Sequence, residues 1–303
     1  MNTPHFTAPS SSPALHPAQP APHLVAPASR GNAGPLPSSL DPLGGPDAQR
    51  QVWGRSEAPV LEVCWARHED EVRQAQRLRY QVFAEEMGAK LSCPPGTPAG
   101  LDVDAFDAHC EHLLVRTRES AHAPAEVVGT YRVLTPAAAR RAGGLYSDQE
   151  FDLSRLDALR PQVVELGRSC TAPAWRSGGV ILMLWGALAD FMLRNRLKAT
   201  LGCASVPMQD GGHGASSLWQ QLSQSHLHPE GVVAIPRLAL PLDHLRADLP
   251  VAAPPLIKGY LKCGGKVLGP PAWDPDFGMA DLPIMLTLAD LPEAYRRRFS
   301  RAV

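Results

Sequence analysis

The stretch VVELGRSCTAPAWRSGGVILMLWGALADFMLRNR, Val163 to Arg196, decides the fold of this chain. It begins with an apolar segment, Val163–Leu166, whose branched residues favour a β-strand. Glu165 is the charged residue of that segment, so a carboxylate is expected inside a central strand. A loop with a proline and a Gly–Gly pair follows, Ala172–Gly179. The next segment is apolar nearly all round and predicts a long buried helix, through Ile181, Leu182, Leu184, Trp185, Leu188, Ala189, Phe191 and Met192.

The start of this helix predicts an anion-binding site. The first N–H groups of a helix have no partner within it, and the helix dipole favours negative charge there. Arg176 immediately precedes the donors and could add a charge-assisted hydrogen bond. The predicted site consists of Arg176, Ser177, Gly178, Gly179, Val180 and Ile181. The alternative is a glycine turn that only connects the strand to the helix.

Composition limits the classes of protein to which the chain can belong. Residues 1–57 are rich in Pro, Ala, Ser, Gly and His and show no apolar period, which predicts a disordered leader before one domain over 58–303. Neither a secretory signal nor an uninterrupted apolar run of about 18 residues is found, which indicates a cytoplasmic protein that at most touches a membrane surface. A net charge of −1 gives no reason to expect nucleic acid. Six scattered cysteines without a C-x-x-C pair favour a reduced compartment and no metal site.

Apolar periodicity predicts the remaining elements. One helix, over 69–86, should bury Val72, Ala75, Leu78, Val82 and Phe83 and carry Arg73, Arg77 and Arg79 on its other face. The other predicted elements are strands Leu61–Ala66, Glu111–Arg116, Glu126–Leu134, Ala199–Val206 and Asp281–Leu288, and helices Pro136–Ala142, Pro254–Cys263 and Leu291–Arg301. Glu111–Arg116 and Glu126–Leu134 should pair as an antiparallel hairpin.

Four short motifs follow one another along the chain, namely Arg79-x-x-Val82-Phe83, Asp102-x-Asp104-x-Phe106-Asp107, Arg132 in GTYRVL, and Glu165-x-x-Arg168. In this order they resemble the motifs of the acyl-homoserine-lactone synthases and ornithine N-acyltransferases, a branch of the Gcn5-related N-acyltransferases. His112-Leu-Leu-Val115 and the tail stretches PPLIKGYLKCGGKV and DPDFGMADLPIML are similar to the ornithine branch in particular. The resemblance implies an α/β (α+β) fold with a mixed, mostly antiparallel sheet flanked by helices, and a family-specific extension over about 250–303.

The resemblance also implies an activity. It is the transfer of a fatty, 3-hydroxylated acyl group from acyl carrier protein to the α-amine of ornithine, which forms lyso-ornithine lipid. The donor would be acyl-phosphopantetheine, with no permanently bound cofactor. The loop RSGGVI departs from the usual R/Q-x-x-G-x-G/A pattern, which favours a carrier-protein donor over acetyl-CoA. Three alternatives remain, namely a lactone synthase that uses S-adenosylmethionine, an N-acyltransferase for another amino acid, and a non-catalytic acyl-binding protein.

Catalytic roles are expected for Glu165, Arg168 and Tyr260. Glu165 would accept the amine proton and Arg168 would orient it, although Glu165 could instead form an ordinary salt bridge to Arg168 or Arg132. Tyr260 would protonate the leaving thiol, or would be a buried aromatic. The donor to the carbonyl oxygen should lie around Ser169–Thr171, where the resemblance places it.

Substrate-binding roles are expected for Arg79, Phe83, Asp102, Asp104, Asp107 and Arg132. An acidic rim suits a cationic amino acid, and an arginine suits its carboxylate. The alternative is that the aspartates only form ion pairs with the arginines; a calcium loop fits poorly because the later glycine and glutamate are absent. His109 and His112 should point to opposite faces of a strand and so share no metal.

The final predicted helix carries Arg296, Arg297, Arg298 and Arg301 beside apolar residues. This composition suits an acidic carrier protein or an anionic membrane surface, with a solvated surface helix as the alternative. Expected partners are therefore acyl carrier protein, an amino acid and, peripherally, the membrane.

Overall fold

Residues 60–119 and 124–299, which the computed structural model describes, fold around an eight-stranded sheet. The expected leader, 1–57, lies outside these residues. The strands are β1 (Leu61–Trp65), β2 (Glu111–Thr117), β3 (Val127–Leu134), β4 (Phe151–Asp152), β5 (Val163–Thr171), β6 (Ala199–Pro207), β7 (Ile235–Pro236), β8 (Lys266–Val267), β9 (Ala272–Asp274) and β10 (Met279–Thr287). Their order in the sheet is β1-β2-β3-β5-β6-β10-β8, with β9 beside β10, while β4 and β7 form a separate pair.

The pairing of β5 with β6 is parallel, and the other pairings in this sheet are antiparallel. The predicted hairpin is confirmed, because β2 and β3 pair directly with His112 opposite Arg132. The predicted strand at the tail is confirmed as β10, which pairs with β6 along its whole length. The C-terminal extension is thereby part of the main sheet.

Helices cover both faces of the sheet. They are α1 (Glu69–Tyr80), which continues as a π-helical turn over Gln81–Glu86, α2 (Pro136–Ala142), α3 (Gly179–Arg194), α4 (His213–Ser225), α5 (Pro255–Lys262) and α6 (Glu293–Phe299). Leu114 packs with the α1 side, whereas Leu113 and Val115 pack with the α3 side. Because neighbouring residues of a strand point to opposite faces, α1 and α3 lie on opposite sides of the sheet.

Helix α3 is less enclosed than its apolar sequence predicts. Leu184, Leu188 and Met192 are buried against the sheet, but Leu193 is 68% exposed. On another side, Leu182 and Ala189 are only partly buried, and they pack against Cys263 and Leu291 of the C-terminal extension. The prediction of burial nearly all round is therefore wrong, because the extension covers the outer side only in part.

Arg79 does not lie on the exposed face of α1 as predicted. Its side chain is fully buried and belongs to the same stripe as Ala75, Leu78 and Val82. Asp102 and Asp107 offset the cost of burying this charge by accepting hydrogen bonds from the guanidinium, with N–O distances of 2.8 Å to each. A charge pattern alone cannot reveal this, because both acceptors come from a distant loop.

The central feature of the sheet is a gap between β5 and β6. Their parallel pairing extends only from Val163 opposite Ala199 to Glu165 opposite Leu201. Beyond it, β5 remains paired with β3 as far as Thr171, and β6 remains paired with β10 as far as Pro207. The two strands separate like the arms of a V, with Glu165 at its closed end.

Gly202 allows the two strands to approach at the closed end. A Cβ atom at this position would overlap the carbonyl oxygen of Leu166, which is backbone and cannot rotate away. Gly202→Ala should therefore destabilise the protein by about 1–3 kcal/mol, measured by chemical denaturation. Gly167 is the matched control, because a Cβ there meets nothing within 4 Å, and Gly167→Ala should cost less than about 0.5 kcal/mol. Equal losses in the two variants would contradict this account of Gly202.

The C-terminal helix begins at Glu293, two residues later than predicted, and Arg301 lies outside the described residues. Arg296 donates to the carbonyl oxygens of Leu291 and Ala289, so part of its charge caps local backbone. No helix within the described ranges combines the length and the apolar character that crossing a membrane requires.

Candidate active site

A cavity of about 350 Å³ occupies the gap between β5 and β6. Both strands line it, and the C-terminal extension contributes Tyr260, Asp274, Phe277 and Asp281. Phe277 meets Phe83 of the π-helical turn edge-on, with ring centroids 5.9 Å apart. The cavity therefore joins residues that are almost two hundred positions apart in the sequence.

A network of three arginines and three aspartates lies beside the cavity, formed by Arg79, Arg132, Arg168, Asp102, Asp104 and Asp107. Asp104 accepts from Arg132 at 2.6 Å and lies 3.4 Å from Arg168. Phe83, Arg132 and Arg168 line the cavity, whereas Arg79 and the three aspartates do not. Arg79 and the aspartates are thus placed to position the two cavity-lining arginines, in keeping with the ion-pair alternative.

Arg168 adopts an unusual backbone conformation within β5. Its φ is +51°, a left-handed value that is uncommon for a residue with a side chain. The register with β3 shifts at this point, between Thr130 and Arg132, which marks a bulge. The bulge directs the guanidinium between the rings of Tyr146 and Phe277, at 5.1 and 4.9 Å from their centroids.

Glu165 is buried at the closed end of the V and borders the cavity. Its carboxylate accepts hydrogen bonds from the Tyr146 N–H at 2.6 Å and from the N–H and hydroxyl of Ser147 at 2.7 and 2.5 Å. Burial raises the pKa of Glu165, although the bonds from Ser147 and Tyr146 act in the opposite direction. The predicted salt-bridge alternative is thus replaced by three neutral donors from one short helical turn.

The predicted anion site is only partly at the cavity. Helix α3 begins after Gly178, whose φ of +96° suits a glycine, and no side chain caps its first turn. Arg176 lines the cavity, but Ser177, Gly178, Gly179, Val180 and Ile181 do not. Arg176 also forms a two-pronged ion pair with Glu86 at 2.5 and 2.7 Å, so it fastens the loop to the π-helical turn.

Tyr260 reaches the cavity from α5. Its hydroxyl is hydrogen-bonded to that of Tyr131, and its ring stacks on Trp185 at 5.5 Å. Burial raises the pKa of Tyr260 well above its ordinary value, which keeps the phenol protonated at neutral pH. Ser169, Cys170 and Thr171, where the oxyanion donor is expected, line the same cavity.

Three cavity carboxylates are absent from the predicted site residues, namely Glu150, Asp274 and Asp281. Asp274 and Asp281 lie in the tail stretch DPDFGMADLPIML, and Asp281 has a further signal because it is a charge at the start of a predicted apolar strand, as Glu165 is in another. Glu150 lies in an irregular segment, where the neighbouring residues give no indication that its side chain faces a cavity. His112, in contrast, contacts the Asp107 carbonyl oxygen at 3.2 Å and lies outside the cavity.

Comparison with solved structures finds weak overall similarity to enzymes of acyl transfer. A CoA-dependent acyl-homoserine lactone synthase with SAM and isopentyl-CoA is 16% identical, with 80% of this chain and 90% of that chain covered and a TM-score of 0.47. FeeM, an N-acyl amino acid synthase from uncultured soil microbes, is 11% identical, with 81% and 98% covered and a TM-score of 0.46.

Sequence comparison is more specific. The Acetyltransferase (GNAT) domain family matches residues 78–186, which confirms the predicted fold class. The L-ornithine N(alpha)-acyltransferase of Rhodobacter capsulatus is 35% identical over 258 residues, which cover 81% of this chain and 97% of the relative. The enzyme of the same name from Agrobacterium fabrum is 34% identical over 253 residues, 78% and 84% of the two chains. With this identity over most of both lengths, the chain belongs to the L-ornithine Nα-acyltransferase family of GNAT-fold acyltransferases.

Proposed function

We propose that the protein transfers a 3-hydroxy fatty acyl group from the phosphopantetheine of acyl carrier protein to the α-amine of ornithine, which yields lyso-ornithine lipid. The amine nitrogen bonds to the acyl carbon, the carbon–sulfur bond breaks, and the thiol leaves with a proton. The observation that carries this proposal is the gap between β5 and β6 with a buried carboxylate at its closed end. Membership of the ornithine acyltransferase family supports the choice of acceptor.

The donor's pantetheine arm fits the gap because backbone hydrogen-bonding groups are available there. Where β5 and β6 separate, the strand edges that face each other lose their mutual pairing. An extended chain with amide groups can hydrogen-bond to such an edge as an added strand does. The start of α3 and Arg176 would then meet the phosphate at the outer end, with Ser177 to Ile181 supplying N–H groups.

Glu165 is the proposed base. An ionised carboxylate has about four acceptor sites, and three are used by Tyr146 and Ser147. The remaining site can receive the amine proton directly or through one water. Arg168 and Arg132, held by the aspartates, face the cavity and would bind the carboxylate of the amino acid.

The leaving thiol needs a proton, and Tyr260 is the proposed donor. It borders the cavity and remains protonated at neutral pH. The Tyr131 hydroxyl, which is hydrogen-bonded to that of Tyr260, can donate to the Tyr260 oxygen once that oxygen has given up its proton. The carbonyl oxygen, which becomes negative during attack, would meet N–H groups around Ser169–Thr171 beside the bulge.

We further assign the whole transfer to residues 58–303. The extension over about 250–303 contributes β10 to the sheet and Tyr260 to the cavity, so it belongs to the catalytic domain. Acyl carrier protein is the proposed protein partner, with Arg176 and the basic helix α6 as its cationic contacts. A peripheral membrane contact would give the acylated product a route into the bilayer.

The decisive experiment incubates purified protein with 3-hydroxyacyl carrier protein and separate amino acids, and detects products by mass spectrometry. Acylated ornithine is expected, with a higher kcat/KM for the carrier-protein thioester than for the matching CoA thioester. A lactone formed from S-adenosylmethionine would instead assign the lactone-synthase activity. Binding of the acyl donor without any product would contradict the catalytic proposal and indicate a non-catalytic acyl-binding protein.

A further inference from the structure

Three carboxylates form a cluster in the cavity that is separate from the arginine network. One oxygen each from Glu150, Asp274 and Asp281 lies within 4.8 Å of those of the other two. They come from three places in the fold: the segment before β4, the end of β9 and the start of β10. All three line the cavity between β5 and β6.

The cluster lacks the partners that buried carboxylates normally have. Asp281 is only 4% exposed, yet its Oδ1 has no hydrogen-bond partner in good geometry, and the same holds for both oxygens of Glu150. The groups beside the Glu150 carboxyl are the Cys203 thiol, which is a weak donor, and Asp281 itself. Asp274 uses Oδ1 to accept from the N–H groups of Asp276 and Phe277, which leaves its second oxygen. Arg168, whose charge acts on Asp281, is already engaged by Asp102 and Asp104.

Carboxylates that lie close together in a cavity repel one another and lose hydration, an electrostatic cost that a cation would relieve. Burial, together with the charge of Asp281, raises the pKa of Glu150 well above its ordinary value. A bound cation would compensate the negative charge of the cluster and favour ionisation of Glu150. The cluster therefore suits a cationic ligand that enters the cavity.

The neighbouring groups favour an organic ammonium over a metal ion. Zinc prefers His and Cys ligands, whereas the cluster consists of three carboxylates. Calcium takes six to eight oxygen ligands, so the carboxylates would have to bind it through both oxygens, whereas Asp274 already uses Oδ1 to accept from two N–H groups. An ammonium group has three N–H donors, which match three carboxylates.

We propose that Glu150, Asp274 and Asp281 bind the side-chain ammonium of the acceptor amino acid and thereby select a diamino acid. This inference rests on the proposed acyl transfer and adds the residues that recognise the acceptor. Ser147 links the two sites, because its hydroxyl donates to Glu165 and lies 3.4 Å from the Cys203 sulfur, beside the cluster. The side-chain amine is held protonated and cannot attack, whereas the α-amine faces Glu165.

The test compares ornithine with norvaline, which has the same carbon chain without the terminal amine. The wild-type enzyme should prefer ornithine by about 10⁴-fold in kcat/KM, because norvaline leaves the carboxylates unpaired. In Asp281→Asn and in Glu150→Gln this preference should fall by about 10²-fold or more, mainly through KM for ornithine. Asp152→Asn, which changes an exposed carboxylate two residues from Glu150, should keep the wild-type preference.

Calorimetric binding of ornithine separates this inference from the proposed reaction. If no amino acid is acylated but ornithine binds and Asp281→Asn abolishes binding, the transfer proposal fails and the ammonium site stands. If ornithine is acylated and its preference over norvaline survives in both variants, the transfer stands and the site is overturned. Binding of Mg²⁺ or Ca²⁺ that depends on Asp281 and excludes ornithine would also overturn it.

Discussion

Glu165→Gln is expected to lower kcat by about 10²–10⁴-fold, because an amide cannot accept the proton that the attacking amine must lose. The side chain keeps its size, so the cavity keeps its shape. The measurement is the steady-state rate with carrier-protein thioester and ornithine, beside a thermal melt of the same sample. A folded variant with wild-type kcat would show that Glu165 is a structural anchor for the turn at Tyr146 and Ser147 and is not the base.

Ser147→Ala is the matched control, because it removes one hydrogen bond from Glu165 and leaves the carboxylate in place. The hydrogen bond from Ser147 lowers the pKa of Glu165, so its loss should raise that pKa further. A base acts only when deprotonated, and activity is lost as the pH falls through its pKa. The acidic limb of the kcat/KM profile should therefore move to higher pH. A purely structural role for Glu165 would lower activity at every pH without moving the limb.

Much of the fold could be predicted from local sequence. The alternation of apolar residues predicted β2 and β3 as a hairpin, and the Pro-Gly loop predicted the transition from β5 to α3. Glu165 was recognisable because a charge inside an apolar strand must have a reason. Short-range patterns suffice for such features, since period and turn chemistry depend on neighbours in the chain.

The parts that sequence reasoning missed depend on distant contacts. Arg79 was placed on the exposed face of α1 because nothing near it in the sequence shows that Asp102 and Asp107 will enclose it. The cluster of Glu150 and Asp281 is likewise assembled from segments more than a hundred residues apart. Only the fold brings such groups together. The helical period alone predicts an exposed face for a charged residue such as Arg79, and this prediction fails when ion pairs make burial of the charge possible.

The burial of Arg79 makes the second large prediction. Arg79→Met keeps most of the side-chain volume but removes the closest cation of the buried Asp102 and Asp107. The cations that remain are more distant, with Arg168 at 3.3 Å from Asp102 and Arg132 at 3.8 Å from Asp107. The free energy of unfolding should fall by about 3–5 kcal/mol at neutral pH, measured by denaturant titration. Arg73→Met is the control on the same helix, because Arg73 pairs with Glu69 and Asp70 at the surface and should cost less than about 0.5 kcal/mol.

The dependence of this loss on pH tests its cause. Burial raises the pKa of Asp107, but Arg79, together with Arg132 and the Asp104 N–H, outweighs burial and holds that pKa below its ordinary value. In the wild type, Asp107 therefore contributes stability above its unfolded pKa of about 3.9, and this contribution is lost as the pH falls through the folded pKa. Without Arg79, less opposes the effect of burial, so the pKa of Asp107 should rise and protonation on acidification relieves the variant. The difference in stability between the wild type and Arg79→Met should thus shrink between neutral pH and about pH 4, and adding Asp107→Asn should recover part of it at neutral pH. A difference that stays constant with pH would mean that Arg79 stabilises the fold through packing alone.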